Sequence, residues 1–399
     1  MRTGWQIGSV FGIPLLIDSS WFFILALVTF FYGSSLQGGE LSPTATWIVG
    51  LIMALLLFGS VLLHELGHSL VARSQGIIVN SITLFLFGGI ASIDQESKTP
   101  GQAFQVAIAG PSVSFAIFLL LTLISQLAPL SDPFAAVLSD LAGINLVLAL
   151  FNMIPGLPLD GGQVLKAAVW KLTGSRHKGV RWSARTGQAL GWAAVIFGIT
   201  AYLSYRRLDL LWLALLGWFG VRNARAYGRV VDLQEALVSL TAVTAMTREF
   251  RVADAAMTIR QFADKYLHEE SDLIVYYAAS DGRYRGMVSI GDLRSVERVQ
   301  WETQPLHSVV HPLTAIPTVQ ETTPLTQVID TLETQSLRQI TVLSPADSVA
   351  GVIDRGDVVR AVADRLNVPI SEAIIRRIKE EGAYPPGLQL QAIAKAAVE

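Results

Sequence analysis

The sequence contains no cysteine. Disulfide bonds, thiolate metal ligands and a cysteine nucleophile are therefore excluded. Histidine is scarce, with six residues in 399, and charged residues make up only 16% of the chain. The net charge of −2 shows no bias toward nucleic acid as a partner. So few charges together with a hydrophobic share of 51% are typical of a membrane protein.

Apolar residues are unevenly distributed along the chain. Long apolar runs dominate up to about Gly220, and the sequence after Arg222 is typical of a soluble globular protein. We therefore predict a membrane domain over residues 1–225 and a linker over 226–238, followed by soluble domains.

The apolar runs predict six transmembrane helices. A run of about 20 apolar residues is long enough to cross a bilayer. The first, Leu15–Tyr32, is expected to stay in the protein, because no cleavage pattern of small residues follows it as in a signal peptide. The six predicted segments are 15–32, 47–72, 102–126, 134–153, 186–204 and 208–221.

Lysine and arginine predict the orientation of these helices. They concentrate in segments on one side, and the opposite loops 33–44 and 127–133 contain none. Basic loops favour the cytoplasmic side of a membrane. With Arg206-Arg207 as the exception, both termini and the soluble domains are expected in the cytosol and the protein in the cytoplasmic membrane. The basic segments are those around Arg2 and residues 73–98, 166–185 and 222–229.

Two histidines and a glutamate interrupt the second apolar run. His64 and His68 are four residues apart, so a helix places both imidazoles on one face, where they can bind one metal ion. Glu65 lies beside them and can act on a metal-bound water. The pattern His-Glu-x-x-His is typical of zinc hydrolases. Ionisable side chains cost several kcal/mol each at this depth, which favours a functional site over a helix end with snorkelling polar groups.

The fourth predicted helix ends in a second group of polar and helix-breaking residues. Asn152 and two prolines precede Asp160, and two glycines follow it. The prolines end the helix and place one carboxylate close to the membrane surface. The alternative is that Asp160 is a turn residue before the next helix. The predicted topology puts Asp160 on the same side as His64 and His68, so the three side chains can meet.

A short segment rich in strand-forming residues separates the second and third helices. Residues 81–92 are too few to span a bilayer, and Gly88 and Gly89 interrupt them. We predict a hairpin or re-entrant strand, with an interfacial loop as the alternative. An exposed strand edge can bind an extended peptide by β-augmentation, which makes Gly88 and Gly89 candidate substrate-binding residues.

Two segments of similar length, with the same order of predicted elements, follow each other between Ser239 and Asp364. Each begins with a short strand-like segment, continues with an amphipathic helix and two runs rich in strand-forming residues, and ends with a helix. This order indicates an internal repeat. We place the first copy at 239–300 and the second at 301–365. A helical tail is predicted over 366–399.

Two motifs in this order resemble those of the site-2 protease family. They are His-Glu-x-x-His in the second helix and Asn-x-x-Pro-x-x-Pro-x-Asp-Gly-Gly at the end of the fourth. The family consists of zinc metalloproteases that cleave substrates within the membrane, and the resemblance covers roughly residues 5–225. It implies that His64, His68 and Asp160 bind one zinc ion and that Glu65 is the general base.

The resemblance extends to further positions. Asn152 matches the family and is a candidate donor to the oxyanion that develops during hydrolysis. The Gly88-Gly89 hairpin and the Gly110-Pro111 pair in the third helix match as well. The implied partners are a membrane-spanning protein substrate and the lipid bilayer, with no nucleic acid.

The repeat resembles a tandem pair of CBS domains, a family known for binding adenine nucleotides. The likeness rests mainly on Gly-x-x-Ser-x-x-Asp in the first copy and implies ATP, ADP or AMP as regulatory ligand. The implied nucleotide-binding residues are Ser289, Asp292 and Asp357. The second copy has Asp354 where Ser or Thr is expected. A carboxylate there repels phosphate, so a ligand should favour the first copy or bind asymmetrically.

We therefore expect a six-helix transmembrane α bundle with a membrane-associated β hairpin, followed by an α/β tandem CBS module. The expected activity is that of an intramembrane zinc endopeptidase modulated by adenine nucleotide. Alternatively, the CBS pair serves only to form a homodimer. A CBS-regulated channel or transporter is the main rival, but it predicts inverted repeats that the sequence lacks. A catalytically silent scaffold is disfavoured by the intact motifs.

Overall fold

The structure, a computed structural model, describes residues 4–37, 42–86, 88–93, 96–127, 132–266, 275–385 and 387–398. The chain divides into two compact units, Met1–Arg229 and Val230–Glu399. The boundary falls inside a helix that runs from Leu211 to Ser239. The linker predicted over 226–238 is part of this helix.

The first unit combines one sheet with mainly apolar helices. In chain order its elements are β1 (Trp5–Val10), β2 (Ile13–Ile17), α1 (Ser19–Ser35), α2 (Pro43–Ser74), β3 (Val79–Phe85), β4 (Gly88–Ile93), α3 (Pro100–Leu127), α4 (Asp132–Asn152), α5 (Asp160–Thr173), α6 (Arg176–Tyr205) and α7 (Leu211–Ser239). Helix α7 begins in this unit and continues into the second.

Four helices in the described part of the chain are long and apolar enough to cross a membrane. They are α2, α3, the stretch Phe134–Asn152 of α4, and α6. Helix α1 is apolar as well, but it has only 17 residues. The predicted count of six spans is therefore not confirmed. The last predicted span, 208–221, begins with a short 3-10 helix and continues as α7.

The first apolar helix starts later than predicted, at Ser19. Ile13–Ile17 forms β2, which pairs antiparallel with β1 and parallel with β3. Asp18 then caps α1, since its carboxylate accepts a hydrogen bond from the backbone N–H of Ser20 at 2.9 Å. The basic segment 166–185 is also not a loop, because it contains most of α5 and the start of α6.

The strand pair predicted around Gly88 and Gly89 is part of a larger sheet. Its order is β1-β2-β3-β4, so β4 is an edge strand. Strands β3 and β4 pair antiparallel, with Leu84 opposite Gly89 and Phe85 opposite Gly88. An apolar core fixes this sheet against α1 and α2. Its buried side chains are Ile13, Leu15, Ile17, Trp21, Phe58, Leu66, Ala72, Val79, Ile82 and Leu84.

The second unit contains two copies with the same order of elements. The first copy consists of β5 (Phe250–Asp254), α9 (Ile259–Tyr266), β6 (Val275–Ser280), β7 (Arg283–Val288) and α10 (Ile290–Ser295). A short helix, α8 (Ala242–Ala245), precedes it, and a short strand, β8 (Val310–His311), follows it. The second consists of β9 (Thr318–Gln320), α11 (Leu325–Thr334), β10 (Gln339–Leu343), β11 (Val349–Asp354) and α12 (Arg355–Arg365). In each copy the first strand is parallel to the second and the second is antiparallel to the third.

The C-terminal tail completes the core of the second copy. Helices α13 (Glu372–Glu381) and α14 (Leu390–Val398) place Ile375, Ile378 and Leu390 in one core with α11 and α12. The two copies also meet directly, since the hydroxyl of Tyr277 lies 2.7 Å from that of Thr341. The tail is therefore an integral part of this unit.

Candidate metal centre and active site

Helix α2 places two histidines next to each other inside the first unit. His64 and His68 are one helical turn apart and both are buried. Their Nε2 atoms lie 3.3 Å apart. Asp160, the first residue of α5, brings its Oδ2 to 3.1 Å from Nε2 of His64 and 3.3 Å from Nε2 of His68. Among the described residues, these three form a group close enough to share a metal ion.

The spacing of these donor atoms fits a zinc ion. Tetrahedral zinc with ligands at about 2.0 Å requires donors about 3.3 Å apart. The three separations here are 3.1, 3.3 and 3.3 Å. Two imidazoles and one carboxylate also leave the fourth position for water or substrate, as in catalytic zinc sites. The side chains present are therefore suited to a catalytic zinc ion.

The other ring nitrogen of each histidine is held by helix α3. Nδ1 of His64 lies 2.9 Å from Oγ of Ser114, which is fully buried. Nδ1 of His68 lies 2.7 Å from the carbonyl oxygen of Val106 and donates its hydrogen to it. A proton on Nδ1 leaves the lone pair of Nε2 free for a metal ion. Helix α3 thus orients both imidazoles toward the site.

Gly110 allows α3 to approach the imidazoles this closely. A Cβ atom at this position would overlap Nε2 of both rings, so a larger residue would fill the space where the ligands meet. Gly110-Pro111 was found through the resemblance, but Ser114 and Val106 were not predicted as partners of the histidines. The Gly-Pro pair was the available signal that α3 belongs to the site.

Strand β4 passes close to the side chain of Glu65. A Cβ atom added to Gly89 would lie 2.5 Å from Cγ of Glu65 and 3.2 Å from its carboxyl carbon. The same atom on Gly88 would lie 4.0 Å from Val61, one turn earlier on α2. The structure therefore brings the predicted general base and the predicted substrate-binding strand together.

Asn152 is the final residue of α4 and is half-buried. A turn of seven residues connects it to Asp160 at the start of α5. Asn145, two turns earlier on α4, is fully buried, and its Nδ2 donates to Oγ of Ser60 at 2.9 Å. Because Ser60 precedes His64 by one helical turn, this bond ties α4 to α2 beside the metal ligands.

The predicted nucleotide-binding residues of the first copy are partly exposed. Ser289 precedes α10, and its Oγ accepts a hydrogen bond from the backbone N–H of Gly291 at 3.2 Å. Oδ2 of Asp292 lies 2.5 Å from Nε2 of His311, with 39% of the Asp292 side chain exposed. A ligand can therefore reach both predicted residues.

The corresponding residue of the second copy is covered by the tail. The side chain of Asp357 is 1% exposed, and its Oδ1 lies 2.7 Å from Nζ of Lys379 on α13. Lys379 also lies 3.3 Å from Asp354, which caps α12. Burial and the charge of Asp354 raise the pKa of Asp357 to about 6, although Lys379 favours its charged form. Asp357 is therefore paired within the protein and closed to a ligand.

Known families match two parts of the chain. The profile of peptidase family M50 matches residues 52–136 and 124–194. Both histidines, Glu65, Asn152 and Asp160 lie inside these matches. The profile of the CBS domain matches residues 309–364. This match lies in the second copy, although the motif that resembles a CBS domain lies mainly in the first.

Several known proteins are similar to most of the chain. A protein named as a zinc metalloprotease in Synechocystis sp. is 41% identical over 364 residues, which cover 91% of this chain and 96% of that protein. The zinc metalloprotease Rip3 of Mycobacterium tuberculosis is 31% identical, over 91% of this chain and 93% of its own length. The solved structure of the site-2 protease from Methanocaldococcus jannaschii is 30% identical, with a TM-score of 0.42, over 57% of this chain and 95% of that one.

Proposed function

The chain belongs to peptidase family M50 and is a zinc metalloprotease with a CBS domain, and we propose that it cleaves membrane-spanning proteins inside the lipid bilayer. One observation carries this proposal. His64, His68 and Asp160 bring three donor atoms together at a spacing that suits zinc. Both histidines belong to a helix long and apolar enough to cross a membrane. A hydrolytic centre so placed acts on peptide bonds within the bilayer.

The side chains of the site have separate tasks in hydrolysis. His64, His68 and Asp160 would hold the zinc ion, and bound zinc lowers the pKa of a water molecule to about 7 and polarises a carbonyl group. Glu65 accepts the proton of the attacking water and returns it to the leaving amine. Asn152 donates a hydrogen bond to the developing oxyanion.

The substrate segment must be extended before it can react. A helix hides its carbonyl groups in hydrogen bonds between residues four apart, so a transmembrane helix has to unwind locally. Strand β4 is the edge of its sheet, and an extended peptide could pair with its free side. Gly89 packs against Glu65, so a peptide at this edge runs past the general base. We therefore assign Gly88 and Gly89 to substrate binding.

The critical experiment compares wild type with Glu65→Gln on a substrate embedded in lipid vesicles. We expect the substitution to lower the cleavage rate about 100-fold or more, because it removes the proton acceptor. Zinc content should stay at one ion per chain, since Glu65 is not a ligand. Equal cleavage by both proteins would contradict the proposal. Bound zinc without cleavage of any substrate would favour the transporter alternative for this site.

We further propose that the second unit lies in the cytosol and that adenine nucleotide modulates proteolysis through it. The concentration of arginine and lysine on one side of the predicted spans supports this orientation. The match to a CBS domain supports a nucleotide as ligand. We assign the binding site to Ser289 and Asp292, because Lys379 covers Asp357. A homodimer that forms through the CBS copies is compatible with modulation by nucleotide and also with its absence.

A further inference from the structure

Three charged side chains meet at the end of strand β4. Oε2 of Glu96 lies 2.6 Å from Nζ of Lys166, and its Oε1 lies 2.8 Å from a terminal nitrogen of Arg176. The side chain of Lys166 is only 9% exposed. Burial opposes ionisation of Glu96, but the two cations outweigh it and hold the pKa of its carboxyl below the usual value. Glu96 is therefore held in its charged form, which both cations contact.

These side chains come from the elements that build the active site. Glu96 follows the last residue of β4 by three positions, Lys166 lies on the helix that begins with Asp160, and Arg176 begins α6. As an edge strand, β4 is hydrogen-bonded only to β3 among the described strands. The ion cluster thus ties the chain just beyond β4 to α5, the helix that begins with the metal ligand Asp160.

One partner in this attachment is held in place independently. A Cβ atom on Gly161 or Gly162 would overlap backbone atoms of the preceding turn, so the start of α5 is packed directly on that turn. The hydroxyl of Ser183 on α6 also donates to the carbonyl of Gly162. Breaking the ion cluster should therefore release the end of β4 and leave Asp160 where it is.

We propose that Glu96, Lys166 and Arg176 are positioning residues that hold the substrate-binding strand β4 beside the metal centre. This proposal rests on the proposed function, because it assigns a purpose to β4 as the strand that binds the extended substrate. The cluster fixes the height of β4 along α2 and hence the position of a paired peptide next to Glu65. None of the three side chains belongs to the metal-binding group of His64, His68 and Asp160.

The test uses the full-length protein in lipid vesicles with Glu96→Gln, Lys166→Met and the double variant. Glu96→Gln keeps the shape of a side chain that is 54% exposed, so it is the variant best suited to fold. We expect amide hydrogen exchange in residues 88–93 to become about tenfold faster and KM to rise about tenfold, with kcat within about twofold. Zinc affinity should stay within about twofold. The double variant should be no worse than either single one, because the charges act as a unit.

Glu380→Gln is the matched control, since it removes an exposed ion pair with Arg376 in the second unit. It should change none of these quantities. Unchanged amide hydrogen exchange in residues 88–93 of Glu96→Gln would overturn the proposal, whether or not zinc affinity falls. If the wild type cleaves no substrate but exchange in 88–93 still rises, the proposed function fails while the attachment of β4 stands.

Discussion

Ser114 determines the orientation of His64 without binding metal itself. Its hydroxyl is fully buried and lies 2.9 Å from Nδ1 of that imidazole. When Nε2 binds a metal ion, Nδ1 carries the proton and the hydroxyl accepts it. Removing it in Ser114→Ala leaves a buried donor without a partner and frees the ring to turn. Partners of this kind typically contribute 10- to 100-fold to metal affinity. We therefore expect zinc affinity to fall by about 10-fold or more, measured by competition with a chelator.

Ser112→Ala provides the control for this prediction. Ser112 lies on the same helix, but its hydroxyl donates to the carbonyl of Ile108 and the side chain is exposed. Its removal should leave zinc affinity unchanged. Equal affinities for the two variants would show that the hydrogen bond to Ser114 does not orient His64.

Local rules explain which site residues could be predicted from the sequence. The spacing of His64 and His68 follows from helix geometry, which operates over four residues. Asp160 was found through its motif and through the resemblance. The contact between Ser114 and His64 spans fifty positions and depends on how α3 packs on α2. No periodicity in the sequence encodes a contact of that kind.

The proposed role of strand β4 in substrate binding can be tested through its contact with Glu65. In Gly89→Val the new Cβ would lie 2.5 Å from Cγ of Glu65, so the general base must move. A displacement of about 1 Å at a reacting group can cost about 100-fold in rate. We expect a loss of that order in cleavage, with zinc content retained. Cleavage by the variant at the rate of wild type would argue against β4 as the substrate-binding strand.

Gly8→Val is a suitable control for the effect of adding a side chain to this sheet. Gly8 lies on β1 of the same sheet, and a Cβ atom there would meet nothing within 4 Å. The added side chain should leave cleavage intact. If Gly8→Val and Gly89→Val are equally inactive, the effect comes from the sheet as a whole rather than from Glu65.

The helices and strands differ in how well the sequence predicted them. The long apolar helices α2 and α3 were expected within a few residues, because a run of that length fits only a membrane helix. Residues 15–17 were assigned to the first helix but belong to strand β2. Hydrophobicity alone cannot separate a buried strand from the start of a helix when the run is short.

The C-terminal tail changes what the second copy can bind. The sequence placed Asp357 in a predicted nucleotide site, but Lys379, on a separate helix, pairs with it at 2.7 Å. The motif around Asp357 spans only a few residues and carries no information on what packs over it. Whether a motif is accessible is a property of the assembled unit, and here α13 decides it.

The burial of Asp357 makes the stability of the second unit depend on pH. Its pKa in the folded protein is about 6, above the ordinary value of 3.8, so the folded state binds the proton more tightly than the unfolded state. The resulting stabilisation is fully present below a pH of about 4 and is lost as the pH rises through about 6. Relative to wild type, Asp357→Asn should therefore gain about 1–2 kcal/mol in free energy of unfolding between those values.

Chemical unfolding, monitored by hydrogen exchange in α12, measures this difference in the free energy of unfolding at each pH. Asp347→Asn is the control, since Asp347 is exposed in the turn between β10 and β11 and should show no such trend. A difference between Asp357→Asn and wild type that stays constant with pH would mean that Asp357 titrates as an ordinary carboxyl group.

The two copies should differ in how they respond to adenine nucleotide. Of the two predicted carboxylates, that of Asp292 is partly exposed beside His311, whereas that of Asp357 is buried under Lys379, so a ligand can reach only the one in the first copy. We expect ATP, ADP or AMP at millimolar concentration to change the cleavage rate of the wild type. Asp292→Asn should weaken nucleotide binding about tenfold or more in calorimetry, because it removes a charged acceptor, while Asp357→Asn should bind as wild type does.

A flat response of the wild type at millimolar nucleotide would exclude modulation by these ligands and leave dimer formation as the role of the second unit.

Loss of the response in Asp357→Asn alone would place the site in the second copy. Because Lys379 covers that carboxylate in the structure, such a result would require α13 to move away before the nucleotide binds. Its core residues Ile375 and Ile378 would then lose their packing, so nucleotide binding there should speed hydrogen exchange in α13. Binding in the first copy leaves α13 protected, and the exchange rate of this one helix therefore distinguishes the two sites.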